Sequence, residues 1–315
     1  VEGALKLAEK YHYPDRTKII YTDISYHGKT HAALSVSGCE ASKIYFKQLP
    51  DCQCVKYGDF DEFAKLVETD VRENHGKCGI SAFILEAIHA EGVILPPADY
   101  LPAVRRLCDK YEIILIIDEV FCGFGRTGKM FAFEHFNIIP DVITVSKGMS
   151  GGKATIGAYI TTDKIYDKVY GKLNESMMHT TTYGGFGEEC AVAIEALNII
   201  VDENIPERAN RLGCLLSEKL KKLENKYPDL IKETRSIGLL GAVEFKPLQN
   251  KIIELLRKNK SVDNLFDGII TGFIVSQLLE QFNILTFAGQ HQMNCLFINP
   301  PLIAAESDID YFIES

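Results

Sequence analysis

Several things are missing from this 315-residue chain, and each absence narrows what it can be. No apolar run approaches the roughly 20 residues that a bilayer-spanning helix needs, and the first residues do not form a signal peptide. There is no excess of positive charge. Lys and Arg number 34 against 43 Asp and Glu, a formal net charge of −9, which argues against a nucleic-acid backbone as partner. The nine cysteines include no CxxC, and only Cys52 and Cys54 are close in sequence. They read as reduced thiols of a cytoplasmic protein, mostly filling the core. No arginine follows Arg257, and no methionine opens the chain. Val1 starts inside an amphipathic pattern, with Val1, Ala4, Leu5 and Ala8 on one face, and Ser307 to Ser315 reads as a helix that starts and stops. A piece of a longer protein is therefore expected. What remains, 46% hydrophobic and 24% charged residues, is an ordinary globular composition, enough for one large domain and a smaller one.

The chain is organised around Ile116 to Gly128, read with Val145 to Gly152. Five apolar residues, Ile113 to Ile117, have the length and branching of a strand buried on both faces. Asp118 follows at the strand's C-terminal end, the edge where open α/β sheets hold ligands. A carboxylate there is costly unless it meets a cation or a strong donor. A second short run, Val142 to Val145, ends in Ser146-Lys147-Gly148. Two such strands bring an Asp and a Lys to one rim. The lysine can form a Schiff base, and the aspartate can hold a protonated ring nitrogen. Lys153, beyond the glycines and without a strand before it, is the rival for Lys147. The series Gly123, Gly125, Gly128 matches a dinucleotide fingerprint in form. Asp118 and Glu119 precede it, however, and would repel a pyrophosphate.

Other stretches fall in order along the chain. Lys18 to Thr22 predicts a strand leading to the polar loop Asp23 to Thr30. His27 and His31 have helical spacing, but no carboxylate or cysteine nearby in sequence completes a metal site. Phe60 to Val71 and Tyr100 to Tyr111 predict helices, and Ile80 to Leu85 and Ile156 to Thr161 predict strands. Hydroxyls and glycines from His179 to Gly187, before a helix from about Glu188 to Val201, suit either an anion or a plain cap and turn. A polar helix from about Pro206 to Lys226 precedes Pro228. Arg235 to Phe245 predicts the first strand of a second domain, Asn250 to Asp267 a surface excursion, Phe273 to Phe282 a helix, and Cys295 to Ile298 a strand.

Tyr26-His27-Gly28, Glu86, Glu91-Gly92, Asp118-Glu119-Val120, Gly123 to Gly128, Pro140-Asp141, Ser146-Lys147-Gly148 and Thr182-Tyr183-Gly184-Gly185 together carry a resemblance. The sequence resembles the class III aminotransferases, with the pieces in the family's order over most of the chain. The resemblance implies an α/β, fold type I, PLP-dependent transferase. It has a large domain with a mixed, mostly parallel sheet and a small α+β C-terminal domain, here residues 1–228 and 229–315, each cut at its outer end. It implies pyridoxal 5'-phosphate as cofactor and a homodimer with the active site at the subunit interface. It also implies exchange of an amino group between an amine or amino acid and a keto or aldehyde compound. Lys147 and Asp118 would be catalytic. Val120 and Tyr26 would clamp the ring, His27 and Glu86 would lie in the cofactor site, and Thr182 would bind the phosphate of the partner's cofactor.

Four residues depart from the family's pattern, among them Ala87, which stands where proline is usual. Phe121 stands where many relatives carry a glutamine that bonds the cofactor's phenolic oxygen. His89 stands where a glutamine is common. Phe297 stands where amino-acid members hold a substrate carboxylate with an arginine. Glu91 is then expected to lack an arginine partner and to receive an amine or stay wet, while Lys29 could meet a substrate carboxylate. These features favour a substrate whose reacting end carries no carboxylate. An aminomutase or decarboxylase on the same cofactor, or a non-catalytic relative, is the alternative.

Overall fold

The computed structural model describes residues 1–38, 41–247, 260–289 and 294–315, with side chains from 268 onward in the helix that begins at 260. Its residues gather into two compact units. The first holds 1–88, 95–123 and 131–199; the second holds 89–94, 124–130 and 200–315.

The first unit is a six-stranded sheet in the order β2-β1-β3-β4-β5-β6. The strands are β1 (Lys18–Thr22), β2 (Cys52–Val55), β3 (Ile80–Glu86), β4 (Ile114–Asp118), β5 (Val142–Val145) and β6 (Ala158–Thr161). All neighbours are parallel except β5 and β6. Every residue of β3, β4 and β5 is buried, as expected of central strands covered on both faces of the sheet. On one face Ala82, Ile84, Ile114, Ile116 and Val142 pack under α1 (Glu2–His12) and α5 (Asp163–Tyr170). On the other, Phe83 stacks on Phe63 of α3 (Phe60–Glu73) at 4.3 Å. Asp59 starts α3 by accepting the Glu62 amide, and Asp61 and Glu62 suit the positive end of its dipole. The short α2 (His31–Ser35), α4 (Tyr100–Tyr111) and α6 (Gly187–Asp202) complete this part of the chain. The expected strand at 156–161 begins two residues later and runs antiparallel to β5.

The second unit is a three-stranded antiparallel sheet, β7-β8-β9, formed by Ile231–Ile237, Leu240–Phe245 and Cys295–Ile298. The single strand expected from Arg235 to Phe245 is two strands. Gly238, at φ +53°, reverses the chain, and Ile237 pairs with Leu240. The apolar run across Gly238 hides this turn. Three helices pack with the sheet: α7 (Ile205–Lys226), α8 (Lys260–Phe282) and α9 (Glu306–Glu314). The buried stripe of α7, Ala209, Leu212, Leu216 and Leu220, has helical spacing, and Gly213 lies within it. A Cβ on Gly213 would lie 2.5 Å from the Gly238 carbonyl oxygen, so glycine is required for this approach. The excursion expected over Asn250 to Asp267 falls outside the described residues up to 259; from 260 it is the start of α8.

Candidate active site

The parallel strands β3, β4 and β5 end together, and their registry sets the site. Glu86 at the end of β3 lies opposite Asp118 at the end of β4, and Asp118 lies opposite Thr144 of β5, three residues before Lys147. Asp118 is 5% exposed. Its Oδ2 is 2.7 Å from Nδ1 of His27, and its Oδ1 accepts the Val120 amide at 3.0 Å. Burial pushes this carboxyl up. The His27 bond and charge and the Val120 amide outweigh burial and hold it below the usual carboxylate range. Asp118 is therefore an anion at depth, with lone pairs beyond the two already engaged.

His27 is itself buried. Its amide donates to Ser37 Oγ at 2.9 Å, and among the described residues its Nε2 has no hydrogen-bond partner. His31 turns elsewhere, its ring edge-on to Phe46 at 6.3 Å. Glu86 accepts the Tyr26 amide at 3.1 Å and so fixes the loop that carries His27. The Tyr26 ring is 39% exposed, with Lys29 Nζ 5.4 Å from its centroid.

Lys147 opens a short 3-10 turn, Lys147–Ser150, with φ at +41°. A non-glycine residue in the left-handed region carries strain, and such strain clusters at functional sites. The side chain is exposed, and its Nζ lies 4.6 Å from the centroid of the Phe121 ring. Phe121 thus faces the lysine amine with its π surface, a contact of about 0.5–1 kcal/mol at an exposed site. Lys153 is exposed beyond Gly151 and Gly152. Thr182 lies in an exposed stretch before α6.

In the second unit, residues 89–94 form a tight turn closed by two hydrogen bonds between His89 and Ile94, each 3.0 Å. Half-buried Glu91 sits in it. Arg235 of β7 donates from Nε to the Gly92 carbonyl at 2.7 Å and binds Glu244 at 2.7 Å. Arg235 thus brings a cation from β7 to the backbone of the turn that carries Glu91. Phe297 is 2% exposed and stacks on Phe287 at 4.9 Å.

Two residues escaped the sequence reading. Arg235 was hidden as the start of a strand. Glu119 was quoted only as part of a motif, yet it is fully buried and accepts the amides of Ala132 and Phe133, both at 3.0 Å. Its place directly after a strand-end aspartate was the only available signal.

A buried carboxylate at one strand end, beside a strand that leads to a lysine, is chemistry suited to holding a protonated ring and capturing a carbonyl. The residues fit such a cofactor, because Asp118 is ionised, buried and able to accept another N–H. The class-III aminotransferase family model matches residues 1–315, and the chain belongs to that family. Its members work with pyridoxal phosphate, and the chain is an aminotransferase that moves an amino group between an amine or amino acid and a carbonyl compound. Among solved structures it is similar to a transaminase from the marine bacterium Virgibacillus, with 31% identity and a TM-score of 0.84 over 99% of this chain and 70% of that one. It is also similar to the ornithine aminotransferase of Toxoplasma gondii, with 28% identity and a TM-score of 0.82 over 99% and 68%. A third is an amine transaminase from an uncultivated Pseudomonas species in its PLP-bound form, with 26% identity and a TM-score of 0.82 over 99% and 72%.

Proposed function

We propose that Lys147 is the residue that joins the cofactor's aldehyde and that Asp118 holds the ring nitrogen. The observation that carries this reading is the buried Asp118 carboxylate, kept anionic by His27 and the Val120 amide, on the strand beside the one that leads to Lys147. Bound pyridoxal phosphate supplies an aldehyde that captures an amine and a protonated ring that accepts electrons released at the reacting carbon.

The chain's own residues do the rest. Asp118 keeps the ring nitrogen protonated through a charge-assisted hydrogen bond. His27 orients that carboxylate and opposes its protonation. Tyr26 and Val120 offer an aromatic and an apolar surface to the ring, and Glu86 fixes the Tyr26 backbone. Lys147 would hold the cofactor's aldehyde through Nζ and, as a free amine, would carry a proton at that atom. Its left-handed backbone aims the amine over the Phe121 ring.

The assembly in this reading is a homodimer in the cytoplasm. The stretch 171–199 exposes Leu173, Met177, Tyr183, Phe186 and Ile194, an apolar surface that a second copy would cover. Thr182 lies within it and would reach the partner's cofactor phosphate. The described cysteines are free, in keeping with a reducing compartment, and among the described residues no helix is long and apolar enough to cross a membrane. Glu91 and Lys29 would face the substrate, and Phe297 takes the family's arginine position without its charge. Donors whose reacting end lacks a carboxylate are then favoured.

The test of the attachment is borohydride reduction of the protein with pyridoxal phosphate, followed by peptide mass analysis. The phosphopyridoxyl group should be found on the peptide containing Lys147 and be absent from Lys147→Ala. Label on Lys153 that survives Lys147→Ala would overturn the assignment.

A further inference from the structure

Glu119 is a charged residue that transamination chemistry does not use, and it is completely buried. It follows Asp118 on β4, so its side chain points to the opposite face of the sheet. There its two oxygens accept two successive amides, Ala132 into Oε2 and Phe133 into Oε1, at 3.0 Å each. Its own amide donates to Thr144 of β5 at 2.9 Å, and its carbonyl accepts from Gly123 at 3.0 Å. One residue therefore ties together the end of β4, the strand that leads to Lys147, the turn that carries Val120 and Phe121, and the returning segment at 132–133. Gly123 is matched to this arrangement, since a Cβ there would lie 2.7 Å from the Glu119 carbonyl oxygen.

The choice of side chain is chemically specific. Two parallel N–H donors require two acceptors and no donor. A carboxylate supplies that, whereas glutamine sets an NH₂ against one of the amides. A leucine of similar size would leave both amides buried without partners. The geometry points to Glu119 as a positioning residue: its carboxylate holds the 119–123 turn so that Asp118, Val120 and Phe121 stay in place beside Lys147. This inference rests on the proposed roles of Asp118 and Lys147.

The clamp depends on charge. Burial pushes the Glu119 carboxyl up to about 8, against the pull of the two amides, and the acidic Asp118 and Glu134 add to the rise. The Cys122 thiol, three residues on, is also pushed up, mainly by burial and then by Glu119 itself. Two adjacent carboxyls are thus driven in opposite directions, Asp118 down and Glu119 up, the pattern by which a site divides tasks between like groups. With the carboxylate ionised both oxygens accept; a proton taken up as pH falls would occupy one of them.

The experiment uses Glu119→Gln in the chain loaded with pyridoxal phosphate. The readouts are cofactor release followed by visible absorbance, kcat and KM from pH 6.5 to 9.5, and amide exchange at Ala132 and Phe133. Cofactor should be lost roughly tenfold faster and kcat should fall by a similar factor with little change in KM, as loss of one charge-assisted hydrogen bond implies. The wild-type change in cofactor absorbance near pH 8 should flatten in the variant. Should Glu119→Gln fail to fold, the wild-type chain still decides. In cofactor-free protein, protection of the Ala132 and Phe133 amides must rise through pH 8 beyond the intrinsic pH trend. Because this needs no cofactor, it separates the clamp from the assignment of Lys147. A variant that melts lower yet keeps wild-type cofactor retention, kcat and pH profile, or amide protection flat through pH 8, would overturn the proposal.

Discussion

Replacing His27 with phenylalanine isolates the electrostatics of Asp118. The substitution keeps an aromatic volume and removes the donor 2.7 Å from Oδ2. Both side chains are nearly fully buried, at 0% and 4% exposure, so solvent does not screen their pairing. Removing one partner of such a pair costs about 3–5 kcal/mol, because the other charge is left uncompensated. The pH dependence then identifies the cause. In the wild-type chain Asp118 titrates below its ordinary 3.8. The stability it lends is therefore present above the unfolded pKa and lost as acid takes the pH through the folded one. Without His27, the two influences ranked next after burial are gone, so the folded value is expected to rise. The stability Asp118 lends at neutral pH then shrinks by about 1.4 kcal/mol for each unit that its folded value rises. Urea unfolding of cofactor-free His27→Phe, Asp118→Asn and the double variant at pH 5 and pH 7 measures this. The His27→Phe penalty should be larger at pH 7 than at pH 5, and that difference should vanish in the Asp118→Asn background. Equal penalties at both pH values and in both backgrounds would refute the reasoning.

Two further outcomes follow. Asp118→Asn in the loaded chain should retain cofactor but slow turnover by about 10²–10³, the size of a lost preorganised electrostatic partner; single-turnover kinetics with an amine donor would show it, and near-normal rates would remove Asp118 from the mechanism. In a panel of donors of matched length, terminal amines should react at least as fast as α- and ω-amino acids. A clear preference for the amino acids, kept in Lys29→Ala, would place a carboxylate site elsewhere and refute the reading of Phe297.

The first sheet was readable because two-sided strands leave unbroken apolar runs. Lys18–Thr22 and Val142–Val145 emerge with their expected ends, and Tyr100–Tyr111 does so as a helix. The Asp118 and Lys147 positions were readable for the same reason, since both terminate such runs. What joins them was not. His27 meets Asp118 across 91 residues, and no local pattern encodes a contact made by strand order. Arg235 reaches Gly92 across 143 residues. Gly238 was missed because the residues on either side of it are apolar, and the turn is specified by a backbone angle rather than by polarity. The Glu119 clamp depends on where the chain returns at Ala132, which follows from packing and not from spacing.

The meeting of Gly213 and Gly238 bears on how this chain can be varied. The turn at Gly238 is hemmed on one side by α7 and on the other by the backbone of Arg126 to Gly128, where a Cβ would come within 2.4 Å of the Thr127 carbonyl carbon. Three stretches of main chain touch with no side chain between them. A mutational library can recode most of the surface of α7, but positions 213 and 238 admit a single letter each, and neither change rescues the other. A larger residue at either position would need the main chain there to shift, so these two sites report on backbone displacement when sequences are compared.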